Sequence, residues 1–270
     1  MSNPKTDVIR HNSQAWDKFA KAECDWSKPV SQEIISNAKQ GSWSVHITKT
    51  ALTEDWLPKN LQGKRVLCLA SAGGQQAPVL AAAGAIVTVY DISQEQLNKD
   101  RFVADRDNLE LVTKQGDMRD LSVFESESFD YIISPISNLY IPELKRLWHE
   151  CYRVLKTNGV LLASFYNPIL FVFERNKELE EQGILKPKYT LPYSDATSLQ
   201  AHEYQAKLAS GDAIVFGHTL TEQIGEQINA GFSITGFYED EHPTPRFLIE
   251  NYMSTMIATK AIKRATGNTW

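Results

Sequence analysis

Between Lys64 and Tyr166 five short apolar runs alternate with stretches of helical spacing. The runs are RVLCLA, AIVTVYD, LELVTKQGD, SFDYIISP and GVLLASFY. The helical stretches are QQAPVLAAAG, closing at Gly84, SQEQLNKDRFVADR, with Ser93 as its N-cap, and IPELKRLWHECYRVLKTNG, opened by Pro142 and stopped by Gly159. Nearly continuous apolar strands separated by helices cannot leave one face in water. They imply a parallel sheet covered on both faces.

The rhythm breaks after Pro168. Residues 169–216 are irregular and polar-aromatic, and a connection that long inside a compact fold is usually a lid or a substrate segment. The pattern then resumes with the helix TLTEQIGEQINAG, capped by Thr219 or Thr221 and ended by Gly231, and with two strands, FSITGFYED and YMSTMIATKAI. Ahead of the sheet, residues 1–60 carry four of the six tryptophans, Trp16, Trp26, Trp43 and Trp56, and two helical stretches. The expected organisation is an N-terminal helical cap (1–60), a core (61–168 and 217–270) and an inserted lid (169–216).

Composition narrows the function. The net charge is -5 and no basic run exceeds AIKRA, which disfavours a nucleic-acid partner. No apolar run approaches the roughly 20 residues that a membrane span needs, and the polar N-terminus lacks a signal segment. A cytoplasmic protein without a membrane partner is expected. Cys24, Cys68 and Cys151 form no CxxC pair and read as reduced thiols. The six histidines show no HxxxH or HExxH spacing, so no metal site is expected.

The turn in VLCLASAGGQQ follows the first strand and precedes a helix. Small residues there let backbone N–H groups and the helix N-terminus approach a nucleotide. On dinucleotide GxGxxG spacing the glycine positions are Ala70, Ala72 and Gln75, and the bulky Gln75 spoils the fingerprint. On GxGxG spacing they are Ala70, Ala72 and Gly74, all small. A plain buried strand–helix turn fits that stretch equally well. Two further acids follow in order. Asp91 ends the second strand, where a carboxylate can accept both ribose hydroxyls, and Asp117 with Met118 follows the third, where an acid can accept from an adenine amino group. All three features fall at the ends of successive parallel strands.

These segments, together with FDYIISPISNLYIPELKRLWHECYRVLKTNGVLLASF, resemble the successive motifs of class I S-adenosylmethionine-dependent methyltransferases, above all the small-molecule group called methyltransferase type 11. The resemblance spans about residues 61–165. It implies a doubly wound, Rossmann-like α/β fold with a seven-stranded sheet, mostly parallel with a C-terminal antiparallel strand. It also implies the cofactor S-adenosyl-L-methionine. The turn of Ala70, Ser71, Ala72, Gly73, Gly74 and Gln75 would face its methionine part. Asp91 would hold the ribose, Ile92 would lie against the adenine, and Asp117 and Met118 would bind it. Ser134 and Asn138, after the fourth strand, would sit beside the reactive methyl. Two departures stand out: Cys68 occupies the usual acidic position of the first motif, and alanines replace glycines at 70 and 72. Gln75, Gln76 or a cap tryptophan is expected to make good the missing acid.

Methyl transfer is an in-line displacement that depends mainly on alignment, so a base is required only where the acceptor must lose a proton. SPISNLY lacks the N/D-P-P-Y order expected for planar amide or base nitrogens. The candidates for catalysis are Asn138, Tyr140 and His202, with His11 and His46 as further possible bases. A small-molecule acceptor is expected, with the oligomeric state left open. The alternatives are a non-catalytic binder of S-adenosylmethionine or S-adenosylhomocysteine and, third, a nicotinamide-dependent oxidoreductase.

Overall fold

The computed structural model describes residues 7–265; the first six residues assigned to the cap and the last five assigned to the core lie outside them. Two helices, α1 (Val8–Lys21) and α2 (Gln32–Lys39), precede the sheet. The core then runs β1 (Arg65–Leu69), α3 (Gln76–Ala82), β2 (Ile86–Asp91), α4 (Gln94–Asp107), β3 (Leu111–Gln115), β4 (Phe129–Ser134), α5 (Lys145–Val154) and β5 (Leu155–Tyr166). After it come α6 (Lys177–Glu181), β6 (Tyr193–Ser194), α7 (Asp195–Ser198), α8 (Ala201–Ser210) and β7 (Phe216–Gly217), with β6 and β7 paired antiparallel. A short α9 (Glu226–Asn229) and the strands β8 (Phe232–Asp240) and β9 (Met256–Lys263) follow.

Seven strands form one sheet in the order β3-β2-β1-β4-β5-β9-β8. The first five pair in parallel, and β9 runs antiparallel to both β5 and β8. The alternation of side chains explains why both faces are filled. Val66, Cys68, Val87, Val89, Ile133 and Leu162 meet Ile35, Leu80, Leu97 and Val103 on one face. Leu67, Leu69, Ile132 and Leu161 meet Leu147, Trp148 and Cys151 on the other. Each such fully buried side chain contributes about 1.5–3 kcal/mol. Connections leave β1 and β4 in opposite directions across the sheet, so a crevice opens outside their C-terminal ends.

Ser93 caps α4 as expected, its hydroxyl accepting from Gln96 N at 3.2 Å. Two elements differ from their sequence patterns. The helix α5 stops at Val154, not at Gly159, because buried Leu155 already pairs with Phe129. Gly159 instead sits in a bulge of β5, where a Cβ would lie 2.8 Å from the Lys156 carbonyl. Second, the helix after β7 opens as a single π turn (Thr221–Gly225) that leads into α9. Thr219 receives its first N–H, from Glu222, while the Glu222 carbonyl is taken by the Trp148 indole at 3.2 Å.

Candidate active site

A cavity of about 340 Å³ opens at the C-terminal ends of the parallel strands, under the N-terminal segment. Its floor begins with the turn after β1. Ala70 and Ala72 both adopt the left-handed region, with φ of 44° and 68°. A Cβ there costs about 1–2 kcal/mol, which is why glycine is the ordinary choice at both places. Ala70, Ser71 and Ala72 line the cavity. The Ser71 hydroxyl is buried beside the Cys68 thiol and makes no hydrogen bond to an oxygen or nitrogen.

Gly73 and Gly74, expected to face the ligand, turn the other way and do not line the cavity. The Gly73 N–H donates to Gln96 Oε1 at 2.9 Å and the Gly74 N–H to Asp100 Oδ1 at 2.8 Å. Gln96 and Asp100 stand four residues apart on α4, so one face of that helix holds both. A Cβ on Gly73 would lie 2.4 Å from Gln96 Oε1. These two glycines are there for the tight contact with α4. Cys68 is fully buried in the sheet, its thiol pushed up by burial and then by the neighbouring Asp100. The carboxyl behind the turn is that of Asp100 on α4, outside the cavity lining, whereas Gln75, Gln76, Trp16 and Trp26 line the cavity. Gln75 donates to the carbonyls of Asp25 and Lys28, at 2.8 and 3.1 Å, and Gln76 Oε1 accepts from His46 N at 2.9 Å. Both glutamines line the cavity while clamping the N-terminal segment over it.

The β2–β3 side is acidic. Asp91 is buried at the strand end, accepting from Ser93 N at 2.7 Å. Burial pushes its carboxyl up to about 7, against the pull of the Ser93 N–H, with Asp17 adding to the rise. Ile92, Asp117 and Met118 line the cavity beside it. The Asp117 carboxylate is gripped by Arg119, whose Nε and Nη2 lie 3.0 and 2.6 Å from Oδ2. Gly116 is required by close approach: a Cβ would fall 1.9 Å from the Tyr90 hydroxyl. Helix α1 crosses above, with Ser13 Oγ donating to the Ile92 carbonyl at 2.9 Å and Asp17 accepting from Ser93 Oγ at 2.6 Å.

On the other side the structure separates the catalytic candidates. Tyr140 lines the cavity, edge-on to Trp16 at 5.1 Å. Asn138 does not: its amide nitrogen donates to Gln223 Oε1 at 2.7 Å, fixing the side chain toward the π turn. Ser134 is buried at the end of β4, away from the cavity lining, with its hydroxyl unpartnered. His202 is exposed on α8, outside the cavity, because α8 holds no buried residue at all. His11 is spent on the Asp212 carbonyl at 2.8 Å. His46 does line the cavity, half-buried, and burial lowers its pKa. Gln96, Asp100, Lys49, Tyr166 and Arg246 were not among the residues expected from the sequence. All but Asp100 line the cavity: Tyr166 ends β5, and the folding of the N-terminal segment and the β8–β9 connection brings Lys49 and Arg246 there.

Residues 67–163 match the family model described as Methyltransferase domain. Over 257 residues the chain is 46% identical to the uncharacterized methyltransferase YbaJ of Bacillus subtilis (strain 168), covering 95% of this chain and 98% of that relative. It is 31% identical over 173 residues to the demethylmenaquinone methyltransferase of Clavibacter sepedonicus, covering 63% of this chain and 65% of that one. Among solved structures, the S-adenosylmethionine dependent methyltransferase from Mesorhizobium loti superposes with a TM-score of 0.57 at 20% identity, over 75% of this chain and 92% of that one.

Proposed function

The chain belongs to the class I S-adenosylmethionine-dependent methyltransferases, in the type 11 group, and from that premise we propose that it methylates a small molecule held in the cavity, in the cytoplasm. The observation that carries the site assignment is Asp91: a buried carboxylate at the end of β2, lining the cavity, with capacity left for hydroxyl donors. The residues present fit the cofactor.

When bound, S-adenosylmethionine supplies an electrophilic methyl group on a sulfonium. Asp91 would accept from the ribose hydroxyls. Ile92 and Met118 would pack on the adenine, and Asp117, steadied by Arg119, would meet its amino group. Ala70 to Ala72 would allow close backbone approach to the methionine part. Trp16 and Tyr140 exclude water and fix the acceptor, and alignment is the main catalytic demand. His46 is the single imidazole on the cavity wall among the described residues. With its pKa lowered it is neutral at pH 7 and takes the acceptor's proton on a ring nitrogen where the chemistry requires it.

The non-catalytic alternative is not favoured, since the altered first motif keeps the left-handed backbone at Ala70 and Ala72. Calorimetric titration with S-adenosylmethionine, S-adenosylhomocysteine and NAD tests the assignment. Binding of the two sulfur nucleosides without NAD is expected, followed by labelled-methyl transfer to a component of small-molecule pools. Binding of NAD alone would defeat it.

A further inference from the structure

The cavity is polarised along the sheet. Its acids, Asp91 and Asp117, stand at the ends of β2 and β3. Its cations are Arg246, in the β8–β9 connection, and Lys49, whose backbone is fastened to β8 while its ammonium reaches Trp26 of the N-terminal segment. Lys49 is held there by its segment. The Ile47 carbonyl accepts from Ser164 Oγ on β5, Thr48 Oγ1 meets Tyr238 Oη of β8 at 3.0 Å, and Lys49 N donates to Asp240 Oδ2 at 3.0 Å. Arg246, in the β8–β9 connection, donates from Nη2 to the Tyr166 hydroxyl at 3.0 Å.

The two cations differ in how they are compensated: Arg246 pairs with Glu250, whereas Lys49 has no carboxylate of its own. The Asp240 carboxylate is occupied by Lys49 N–H, Thr50 N–H and Thr50 Oγ1, so it fixes the loop and not the ammonium. Asp25, the other acid near Lys49, is paired with Lys28 at 2.7 Å. The Lys49 ammonium rests 4.3 Å from the Trp26 ring centroid and makes no ion pair of 4.0 Å or less among the described residues. Burial and the Arg246 guanidinium push its pKa below the usual range. Arg246 pairs with the buried Glu250 at 3.4 Å, and the N–H groups of Arg246 and Phe247 and Thr255 Oγ1 hold that carboxylate in place. Around the pair stand aromatic faces: Arg246 lies 5.6 and 5.5 Å from the Tyr166 and Phe247 centroids.

We propose that Lys49 and Arg246 form an anion subsite for the methyl acceptor, which is a planar small molecule carrying a carboxylate or a phosphate. The inference rests on the methyltransferase assignment above, because the cofactor's nucleoside takes the β2–β3 side and its methionine part the turn after β1. That leaves the β5–β9 end for the acceptor. An anion there would meet the Lys49 ammonium, which has no ion pair within 4.0 Å among the described residues, beside a guanidinium that Glu250 anchors. Tyr140, Tyr166 and Trp26, which also line the cavity, suit a flat, conjugated ligand.

The test uses the full chain, saturated with S-adenosylhomocysteine, titrated with benzoate, phenyl phosphate, benzyl alcohol and benzylamine. Either anion is expected to bind about tenfold more tightly than the alcohol, with the amine weakest. Preference for benzoate or for phenyl phosphate tells which anion the subsite takes. Lys49→Met and Arg246→Gln should each remove most of that preference, Arg246→Lys should retain much of it, and S-adenosylhomocysteine affinity should stay within about twofold. Lys49→Met, on a partly exposed loop, keeps the test valid should the Arg246 variants fold poorly. No preference for the anions at millimolar concentration, including no binding by any probe, overturns the proposal. So does a large loss of S-adenosylhomocysteine affinity in Lys49→Met, which would assign the lysine to the cofactor's amino-acid end. Failure of the wild type to bind S-adenosylhomocysteine would instead strike the cofactor assignment itself, and is read before any probe is added.

Discussion

Asp100 Oδ1 accepts the N–H of Gly74 at 2.8 Å, so a helix that begins after β2 holds the turn that ends β1. Burial pushes the Asp100 carboxyl well above its usual range, with Asp91 adding to the rise.

An asparagine at 100 keeps the acceptor oxygen without the buried charge. Asp100→Asn should change stability by less than about 1 kcal/mol, whereas Asp100→Ala leaves the Gly74 N–H unpaired and should cost about 1–3 kcal/mol. Urea unfolding measures both. The alanine variant should also bind S-adenosylhomocysteine more weakly, since the turn loses its support.

Asp91 sets stability against binding. Its folded pKa, about 7, lies above the 3.8 of an aspartate in the unfolded chain. The native state therefore binds more protons between those values, and stability falls as pH rises through that window. Asp91→Asn removes the penalty. It should raise stability by roughly 2–4 kcal/mol at pH 8, with the gain shrinking as pH drops from 7 toward 4. The same variant should lose cofactor affinity at least several-fold. In the wild type, S-adenosylhomocysteine should bind more tightly as pH rises through about 7, because hydroxyl donors favour the ionised carboxylate. A flat binding profile from pH 5.5 to 8.5 would show that Asp91 does not meet the ligand.

The strained alanines offer a cleaner test of the turn. Ala72→Gly relieves about 1–2 kcal/mol of left-handed strain and gives back about 0.4–1 kcal/mol through a freer unfolded chain. The variant should be as stable or more stable, by up to about 1.6 kcal/mol, with cofactor affinity within about twofold. A loss of stability would mean that the Ala72 methyl packs usefully.

Asn12 joins three parts of the molecule. Its amide donates to the Tyr140 and Ile214 carbonyls at 2.8 and 2.9 Å and accepts from Ile214 N at 2.8 Å. Asn12→Ala strands buried backbone groups on both sides and should cost about 2–4 kcal/mol. Limited proteolysis between residues 199 and 215 should accelerate first, ahead of cleavage in the sheet.

Much of this architecture could be read locally. Ser93 announced α4 because a cap and its helix are neighbours in sequence, and the apolar runs announced the strands because each carries its own burial pattern. What could not be read depends on partners far away. Asn138 is turned out of the cavity by Gln223, 85 residues later. Gly159 resembles a helix stop, yet it serves a bulge that exists only because Leu155 reaches Phe129. Gln96 and Asp100 did leave a trace: both interrupt the buried stripe of α4 that Leu97, Val103 and Ala104 complete. Polar groups on such a stripe need a buried partner, here the glycine N–H groups of the preceding turn.

The clasp at Asn12 also has a consequence in time. Its partner Ile214 lies 202 residues downstream. At the usual pace of ribosomal synthesis, Ile214 emerges roughly 10–40 s after Asn12. Helix α1 is thus fastened in stages: Ser13 and Asp17 can find Ile92 and Ser93 early, while the Asn12 clasp waits for Ile214. The roof over the cavity is complete only once Ile214 has emerged, so a shorter nascent chain offers a ligand no finished pocket.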